Sequence, residues 1–419
     1  MRKLGVVAAT AVTLTAVAAT GAQAGADTAP AVISGLHDPN RIAGRYVVVL
    51  QDGAAASRTA AAHERAFGAS VDHVYRSAVR GYSARMSQTA AERVAQLPGV
   101  DFVQADSRVS TSAQSVPTGI NRANADASPT AAIDGTDNRV DVDVAVIDTG
   151  IDLDHPDLNV YRAGATNCAL TGVSPDDQHG HGTHVAGTIG ALDNSAGVVG
   201  MAPGARVWPV KVLNAVGVGT TSDVVCGIDY VTAHADQIEV ANMSLGGGGE
   251  DDGNCGRSNN DAEHRAICAS VAAGVTYAVA AGNDSADAAG STPAAYDEVI
   301  TVSALADFNG QPGGGAAPTC RSDVDDTFAN FSNYGSDVDL IAPGVCISST
   351  WMGGGYNTIS GTSMASPHVA GAAALYKANN PGASPAQVQS ALESAGSTAW
   401  NDADDPDNTK EPLLDVTGF

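Results

Sequence analysis

The sequence predicts an α/β protein, a parallel sheet flanked by helices and preceded by a small α+β unit. Three observations predict it. From about residue 113 onward, short apolar strands alternate with helical segments. Residues 45–109 instead run in the order β-α-β-β-α-β. The 419 residues suffice for two domains and a short extension. Hydrophobic content is 44% with only 5% aromatic, so Ala, Val and Gly fill the core, and nothing in this composition suggests disorder.

The chain opens with MRKLGVVAATAVTLTAVAATGAQA. Arg2 and Lys3 form a positive start, Leu4 to Ala19 an apolar run, and Ala22-Gln23-Ala24 a small-residue cleavage site. Residues 1–24 therefore read as a secretory signal peptide. No later stretch reaches the roughly 18 apolar residues of a membrane span. RYVVVL (45–50) reads as a strand and AASRTAAAHERAFGA (55–69) as an Ala-rich helix. VDHVYRSAVRGYSARM (71–86) alternates like two strands. SQTAAERVAQLPG (87–99) is a helix with Ser87 as its N-cap and Pro98-Gly99 as its stop. VDFVQAD (100–106) is the last strand, and the order fits a split βαβ sandwich. STSAQS (110–115) reads as an exposed linker. The expected domains are thus 25–112 and 113–419 after the leader.

In the larger part, VDVAVID (142–148), ARVWPVKVL (205–213), IEVANMSL (238–245), VTYAVAAGN (275–283) and EVITVSA (298–304) are apolar strands. SDVVCGIDYVTAHA (222–235) and AEHRAICASVAAG (262–274) are helical segments between them. Buried strands separated by helices imply a parallel sheet covered on both faces. Such sheets place their sites at the carboxyl ends of strands. The run DADDPDN (402–408) reads as a solvated loop.

Charge is uneven. From Ala113 onward there are 10 Lys and Arg against 38 Asp and Glu, a net of −28, whereas residues 25–112 carry 9 and 8, a net of +1. The large part repels nucleic acid and anionic membranes, so neither is an expected partner. The plain reading of this charge is a soluble acidic surface, and the sharper one is cation binding at a few sites. Six cysteines in a secreted chain imply three disulfides, and the lack of any C-x-x-C pair argues against a zinc knuckle or a thioredoxin-type site. Sequential pairing, Cys168–Cys226, Cys255–Cys268 and Cys320–Cys346, closes the shortest loops and is the expected set.

Four stretches hold candidate chemistry. Asp148 ends an apolar strand, where an acid belongs at the carboxyl end or in an Asx-turn. Ser363, in ISGTSMASPHVAGAAALY (359–376), lies among Gly361, Thr362 and Ala365 just before a small-residue helix. Pro367 is tolerated only near a helix start, which places that start close to Ser363. A helix N-terminus offers free N–H groups to a developing oxyanion, although an ordinary cap serine would look the same. Asn283 ends AAGN (280–283) and offers an uncharged amide donor, or a plain turn residue. QHGHGTHVAG (178–187) holds His179, His181 and His184, which alone could be zinc ligands, a base with two bystanders, or a polar loop.

Together, VAVIDTGIDLDHPDL (144–158), HGTHVAGTIGALDNSAGVVGMAP (181–203), ANMSLGG (241–247), AAGN and GTSMASPHVAG (361–371) resemble the subtilisin-like serine proteases, close to the proteinase K branch. The resemblance covers about 113–419. It implies a subtilisin-like fold, an Asp148–His181–Ser363 triad in the family's chain order, and Asn283 as oxyanion donor. His184 then falls in the following helix and His179 has no carried-over role. A catalytic zinc is not expected, because H-E-x-x-H is absent and zinc would leave Asp148, Asn283 and Ser363 unexplained. The resemblance also implies an extended polypeptide substrate along Ser244, Leu245, Gly246 and Gly247. The side chain before the scissile bond would enter a roomy pocket between that edge and Ala280, Ala281 and Gly282, with Ser291 at its floor. Broad endopeptidase action with apolar or aromatic preference follows.

The same resemblance implies structural calcium. One site would use Gln114, Asp157 and Asn194 with the carbonyls of Leu192, Ala196 and Val198, an oxygen set suited to a hard cation. A second would use Asp339 with the carbonyls of Asp297 and Val299. AQSVP (113–117) looks like the start of a mature subtilisin, and residues 25–112 resemble the inhibitor-type propeptide of these proteases, with self-cleavage near 109–113. The expected product is a secreted monomer. An esterase is disfavoured because Ser363 sits in G-T-S-M-A rather than G-x-S-x-G. A binding protein on a dead protease scaffold is disfavoured because all four catalytic positions are filled.

Overall fold

The computed structural model describes residues 33–36, 41–107, 114–169 and 173–419. The leader at 1–24, the cleavage region at 109–113 and most of the linker at 110–115 lie outside the described residues. The chain divides into two compact units between residues 111 and 112.

The first unit contains β1 (Arg41–Leu50), α1 (Ala56–Phe67), β2 (Ser70–Tyr75), β3 (Gly81–Arg85), α2 (Gln88–Ala95) and β4 (Val100–Ser107). Its antiparallel sheet has the order β2-β3-β1-β4. Period-two alternation turns Tyr46, Val48 and Leu50 inward, where they pack with Tyr82, Ala91, Val94 and Val103. The Ser87 hydroxyl accepts from the Ala90 N–H at 3.2 Å, the cap expected there. Helix α1 stops at Gly68, whose φ of 65° is left-handed.

The second unit contains α3 (Thr118–Arg122), β5 (Asp143–Asp148), β6 (Thr166–Asn167), α4 (His181–Gly190), β7 (Arg206–Lys211), α5 (Thr221–Ala233), β8 (Val240–Met243) and β9 (Gly247–Gly248). It continues with α6 (Ala262–Ala272), β10 (Thr276–Ala280), β11 (Ser291–Thr292), β12 (Ile300–Ala306), β13 (Thr327–Phe328), β14 (Leu340–Pro343), β15 (Ile347–Trp351), β16 (Gly355–Ile359), α7 (Thr362–Asn379) and α8 (Pro385–Ala395). The main sheet runs β13-β12-β10-β8-β5-β7-β6, with β14 also on β12. Its pairs are parallel except β12–β13, which are antiparallel. The all-parallel expectation misses that strand because two residues, Thr327 and Phe328, carry no periodicity.

Every residue of β5 is buried, and its side chains alternate between two cores. Val144 and Val146 pack with Val185 and Ile189 of α4 and Val369 of α7. Ala145 and Ile147 pack with Val224 and Ile228 of α5 and Ile267 of α6. Burial on both faces explains the continuous apolar strands. Three disulfides join Cys168–Cys226, Cys255–Cys268 and Cys320–Cys346, with Cα separations of 5.9, 5.9 and 5.8 Å. Among the described residues, no helix is long and apolar enough to cross a membrane.

Candidate active site

Strands β10, β8 and β5 are sheet neighbours, and their carboxyl ends open on one side. They deliver Ala280–Asn283, Ser244–Gly247 and Asp148 to one place. The starts of α4 and α7 add His181 and Ser363.

Asp148 is fully buried. Its Oδ1 accepts from the Thr149 N–H at 2.7 Å and lies 2.8 Å from His181 Nδ1, with Oδ2 at 3.0 Å from the same nitrogen. A carboxylate this deep needs donors, and an Nδ1–H is one of them. That tautomer leaves the Nε2 lone pair for the cleft. Burial works against a charged His181, but the Asp148 charge and hydrogen bond outweigh it, with help from Asp177, and raise its pKa above the ordinary value.

Asp177 is a residue the sequence reading missed. Its Oδ1 accepts from Thr149 Oγ1, the His179 N–H and the Gly180 N–H, each at 2.9 Å. Its Oδ2 accepts from the Thr183 N–H at 3.0 Å and Thr183 Oγ1 at 2.6 Å. One carboxylate thus ties the loop to the start of α4. Gly180 has φ of 104°, and a Cβ there would collide with the Trp351 ring. His181 becomes the first helical residue as a result.

The three histidines diverge. His184 is buried, its Nε2 bonds to the Ile347 carbonyl at 2.9 Å, and burial pushes its pKa down to about 3. His179 lies beside His181, ring centroids 6.2 Å apart.

Ser363 is held by an unusual helix start. Pro367 has no N–H, so the Ser363 carbonyl four residues earlier lacks its helical partner. Ser244 Oγ donates to that carbonyl at 2.7 Å, and Ser363 Oγ donates to the Ser244 carbonyl at 3.2 Å. Buried Asn242 donates to Ser244 Oγ at 2.9 Å and accepts from Ser366 Oγ at 2.7 Å. Among the described residues, Ser363 Oγ bonds to Ser244 and not to His181. Catalytic hydrogen bonds commonly tighten only around substrate.

Asn283 Oδ1 accepts from the Thr362 N–H at 2.9 Å and Thr362 Oγ1 at 3.1 Å. The oxygen is thereby fixed and Nδ2 becomes the outward donor. Gly282 has φ of 110° and would clash with Asn333 Nδ2 if it carried a Cβ. Asn333 in turn bonds the backbone of Ala281, Asp284 and Ala286 at 2.9–3.1 Å.

A cavity of about 520 Å³ is lined by Leu245, Gly246, Gly247, Ala280, Ala281, Gly282, Asn283, Ser291 and Ser363. Asp284 and Asp287 also line it, both exposed, which the sequence reading did not place there. Strands β9 and β11 pair at its side. A second cavity, about 600 Å³, lies between Val216–Thr220 and Ser244–Gly248 and includes His181. The Val216–Thr220 wall was also missed, and Val216 and Val218 are 75% and 59% exposed on it. Glu263 lines the same cavity, and burial, aided by Asp261, pushes its carboxyl up to about 7.

The first proposed cation set is assembled. Gln114 Nε2 donates to the carbonyls of Leu192 at 2.8 Å and Val198 at 3.3 Å. Asn194 Nδ2 donates to Asp157 Oδ1 at 2.8 Å, and the Val198 N–H and Tyr356 hydroxyl reach Asp157 Oδ2 at 3.1 and 3.2 Å. The two amides supply the positive ends in this cage. Turning both amides would aim their oxygens at a hard cation, in exchange for the bonds that Gln114 Oε1 accepts from the Ser195 N–H at 3.1 Å and Asn194 Oδ1 from the Ala196 N–H. Ala196 enters through its N–H, which donates to Asn194 Oδ1 at 2.9 Å. The second set is less complete. Asp339 Oδ2 accepts from the Thr301 N–H at 2.7 Å and Oδ1 from Gln389 Nε2 at 2.9 Å, while burial pushes this carboxyl up to about 7. The Asp297 N–H points to Asp251, at 3.3 Å, and the Val299 N–H to the Tyr296 carbonyl, also at 3.3 Å.

Residues 140–411 match the Subtilase family and residues 45–112 match Peptidase inhibitor I9. Subtilisin E of Bacillus subtilis (strain 168) is 39% identical over 326 residues, 77% of each chain. An extracellular serine proteinase of Thermus sp. (strain Rt41A) is 38% identical over 397 residues, 88% of each chain. A crystal structure of a cold adapted subtilisin-like serine proteinase is 36% identical with a TM-score of 0.53, covering 67% of this chain and 91% of that one. Fold and family together define a serine endopeptidase with an inhibitor-type propeptide domain at its N-terminus. The chain belongs to the subtilase family.

Proposed function

We propose that this is a secreted, self-processing endopeptidase that cleaves peptide bonds through Asp148, His181 and Ser363. The observation that carries the reading is the buried Asp148–His181 hydrogen bond of 2.8 Å facing a cleft whose other walls hold Ser363 and Asn283. Ser363 Oγ attacks the scissile carbonyl. His181 Nε2 takes its proton and later delivers it to the leaving amine, while Asp148 holds the tautomer and stabilises the imidazolium. Asn283 Nδ2 and the Ser363 N–H stabilise the oxyanion. Substrate lies extended between Val216–Thr220 and Ser244–Gly247, as an added strand. The glycine- and alanine-lined cavity takes the residue before the scissile bond, with apolar or aromatic preference.

Fluorophosphonate labelling of the purified protein tests the reading. The expected result is one adduct, mapped to Ser363, together with a cleavage profile rich in apolar residues before the cut. A folded, processed protein that takes no adduct would instead be a binding scaffold.

Residues 25–112 would serve as template and inhibitor during folding. The mature sheet pairs residues distant in sequence, and such topologies fold slowly. Opposite net charges, +1 against −28, favour docking. Cleavage near 109–113 would release the enzyme.

Calcium would be held by Gln114, Asp157 and Asn194 with the carbonyls of Leu192, Ala196 and Val198, and a second ion by Asp339, Asp297 and Val299. A bound cation would replace the two amide N–H groups as the positive end that the Asp157 carboxylate and the carbonyls face. Chelation of fluorophosphonate-blocked protein should lower Tm by roughly 5–10 °C, the effect of about 2.7 kcal/mol when calcium stands a hundredfold above Kd. Asp157→Asn should abolish most of that difference. An unchanged Tm on chelation would rule both sites out.

A further inference from the structure

We propose a second kind of metal site, for a zinc-class divalent cation, formed by His264, Asp251 and Asp252, none of which lines the catalytic cleft. His264 lies in the first turn of α6 and its side chain is fully buried. Its Nε2 lies 2.8 Å from Glu298 Oε2. A carboxylate at that distance accepts a hydrogen bond from Nε2–H, and a neutral imidazole with its proton on Nε2 presents Nδ1 as a bare lone pair. Nδ1 has no hydrogen-bond partner. It faces Asp251 Oδ1 at 3.5 Å and Asp252 Oδ1 at 3.4 Å.

Those separations match the spacing of ligands around a metal better than that of a single charge-assisted hydrogen bond. A charge-assisted N–H···O bond would draw the oxygens in to about 2.7–2.9 Å. Ligands 2.0–2.2 Å from a common tetrahedral ion instead stand about 3.3–3.5 Å apart. The three donor atoms lie within 4.8 Å of one another. An imidazole nitrogen with two carboxylates suits zinc better than calcium. The Glu298 contact completes a carboxylate–histidine–metal chain, the arrangement that orients ligating imidazoles.

The acids are fixed where a ligand needs them. Asp252 accepts the N–H groups of Asn254, Gly256, Ser258 and Asn259 at 2.6–3.3 Å. Asp251 Oδ1 accepts from the Gly253 N–H at 2.7 Å. The Cys255–Cys268 disulfide ties this loop to α6 on the far side of His264, and the Tyr296 ring stacks on the imidazole at 4.1 Å. Asp251 is 17% exposed and Asp252 5%, so solvent reaches the cluster from the Asp251 side.

The test is zinc titration of the intact, calcium-saturated protein by calorimetry, with bound zinc counted after dialysis. The expected result is one zinc per chain. Glu298→Gln should weaken it roughly 10–100-fold, and Asp251→Asn, which removes a direct ligand, by more than that. Both changes lie on partly exposed side chains, so thermal melts should stay cooperative. Zinc uptake that is unaltered in both variants would place the ion elsewhere, for instance at His179 and His181, and overturn the proposal. No uptake, with NMR showing both His264 nitrogens protonated at neutral pH, would overturn it in favour of a buried imidazolium among three carboxylates.

Discussion

Ser363→Ala is expected to lower kcat by about 10⁶ and to leave the precursor uncut. The magnitude is the one known for loss of the nucleophile in a subtilisin. The geometry here supplies its reason and a control. Removing Oγ costs the 3.2 Å bond to the Ser244 carbonyl, about 1 kcal/mol. The Ser244 Oγ bond to the Ser363 carbonyl does not involve the side chain and should persist, as should the links through Asn242 and Ser366. The helix start therefore survives, and Tm should fall by no more than a few degrees. Kinetics on a peptide substrate measure the first effect, and intact mass of the secreted product the second. A Ser363→Ala protein that still matures normally would show that another protease performs the cut.

The parts legible in the sequence share one property: they sit where a regular element ends. Asp148 and Asn283 stood out as candidates because an apolar strand halts at a polar residue, and Ser363 because Pro367 limits where a helix can begin; their roles, and that of His181, came from the resemblance to the subtilisin-like proteases. The two cores follow from the same pattern, since strands buried on both faces leave no alternation to misread. What escaped notice depends on contacts between distant segments. Asp177 looks like any loop acid until its five donors from Thr149, His179, Gly180 and Thr183 are seen together. Ser244 was expected only as substrate edge, yet it also satisfies the carbonyl that Pro367 leaves unbonded, 119 residues away. Glu263 sits in the first turn of a well-capped helix, where an acid is normal, and only the fold places it in the cleft. The antiparallel β13 is too short for any pattern.

Asp148→Asn is expected to lower kcat by about 10⁴, the loss that follows when a triad carboxylate becomes an amide and the histidine adopts the wrong tautomer. The Thr149 N–H holds Oδ1 at 2.7 Å, so an amide would keep its oxygen there and turn Nδ2 toward His181. The amide N–H that replaces Oδ2, 3.0 Å from Nδ1, opposes an Nδ1–H and favours the tautomer with its proton on Nε2, in which the base has lost its lone pair. The pH profile separates this from simple damage. In the wild type the charge of Asp148 raises the His181 pKa above 6.5. In the proposed mechanism neutral His181 is the active form, so kcat/KM should rise with pH through that raised value. Without the charge, burial dominates and the inflection should move to lower pH. Rate thus falls while the acid limb extends, and a merely misfolded variant would show the first without the second. Stability carries the same sign. The wild-type pair stabilises the fold fully below the unfolded histidine value, and the contribution fades as pH rises through the raised folded one. Melts of fluorophosphonate-free wild type and Asp148→Asn should therefore differ more at acidic than at alkaline pH, and equal differences across that window would mean that Asp148 does not set the charge of His181.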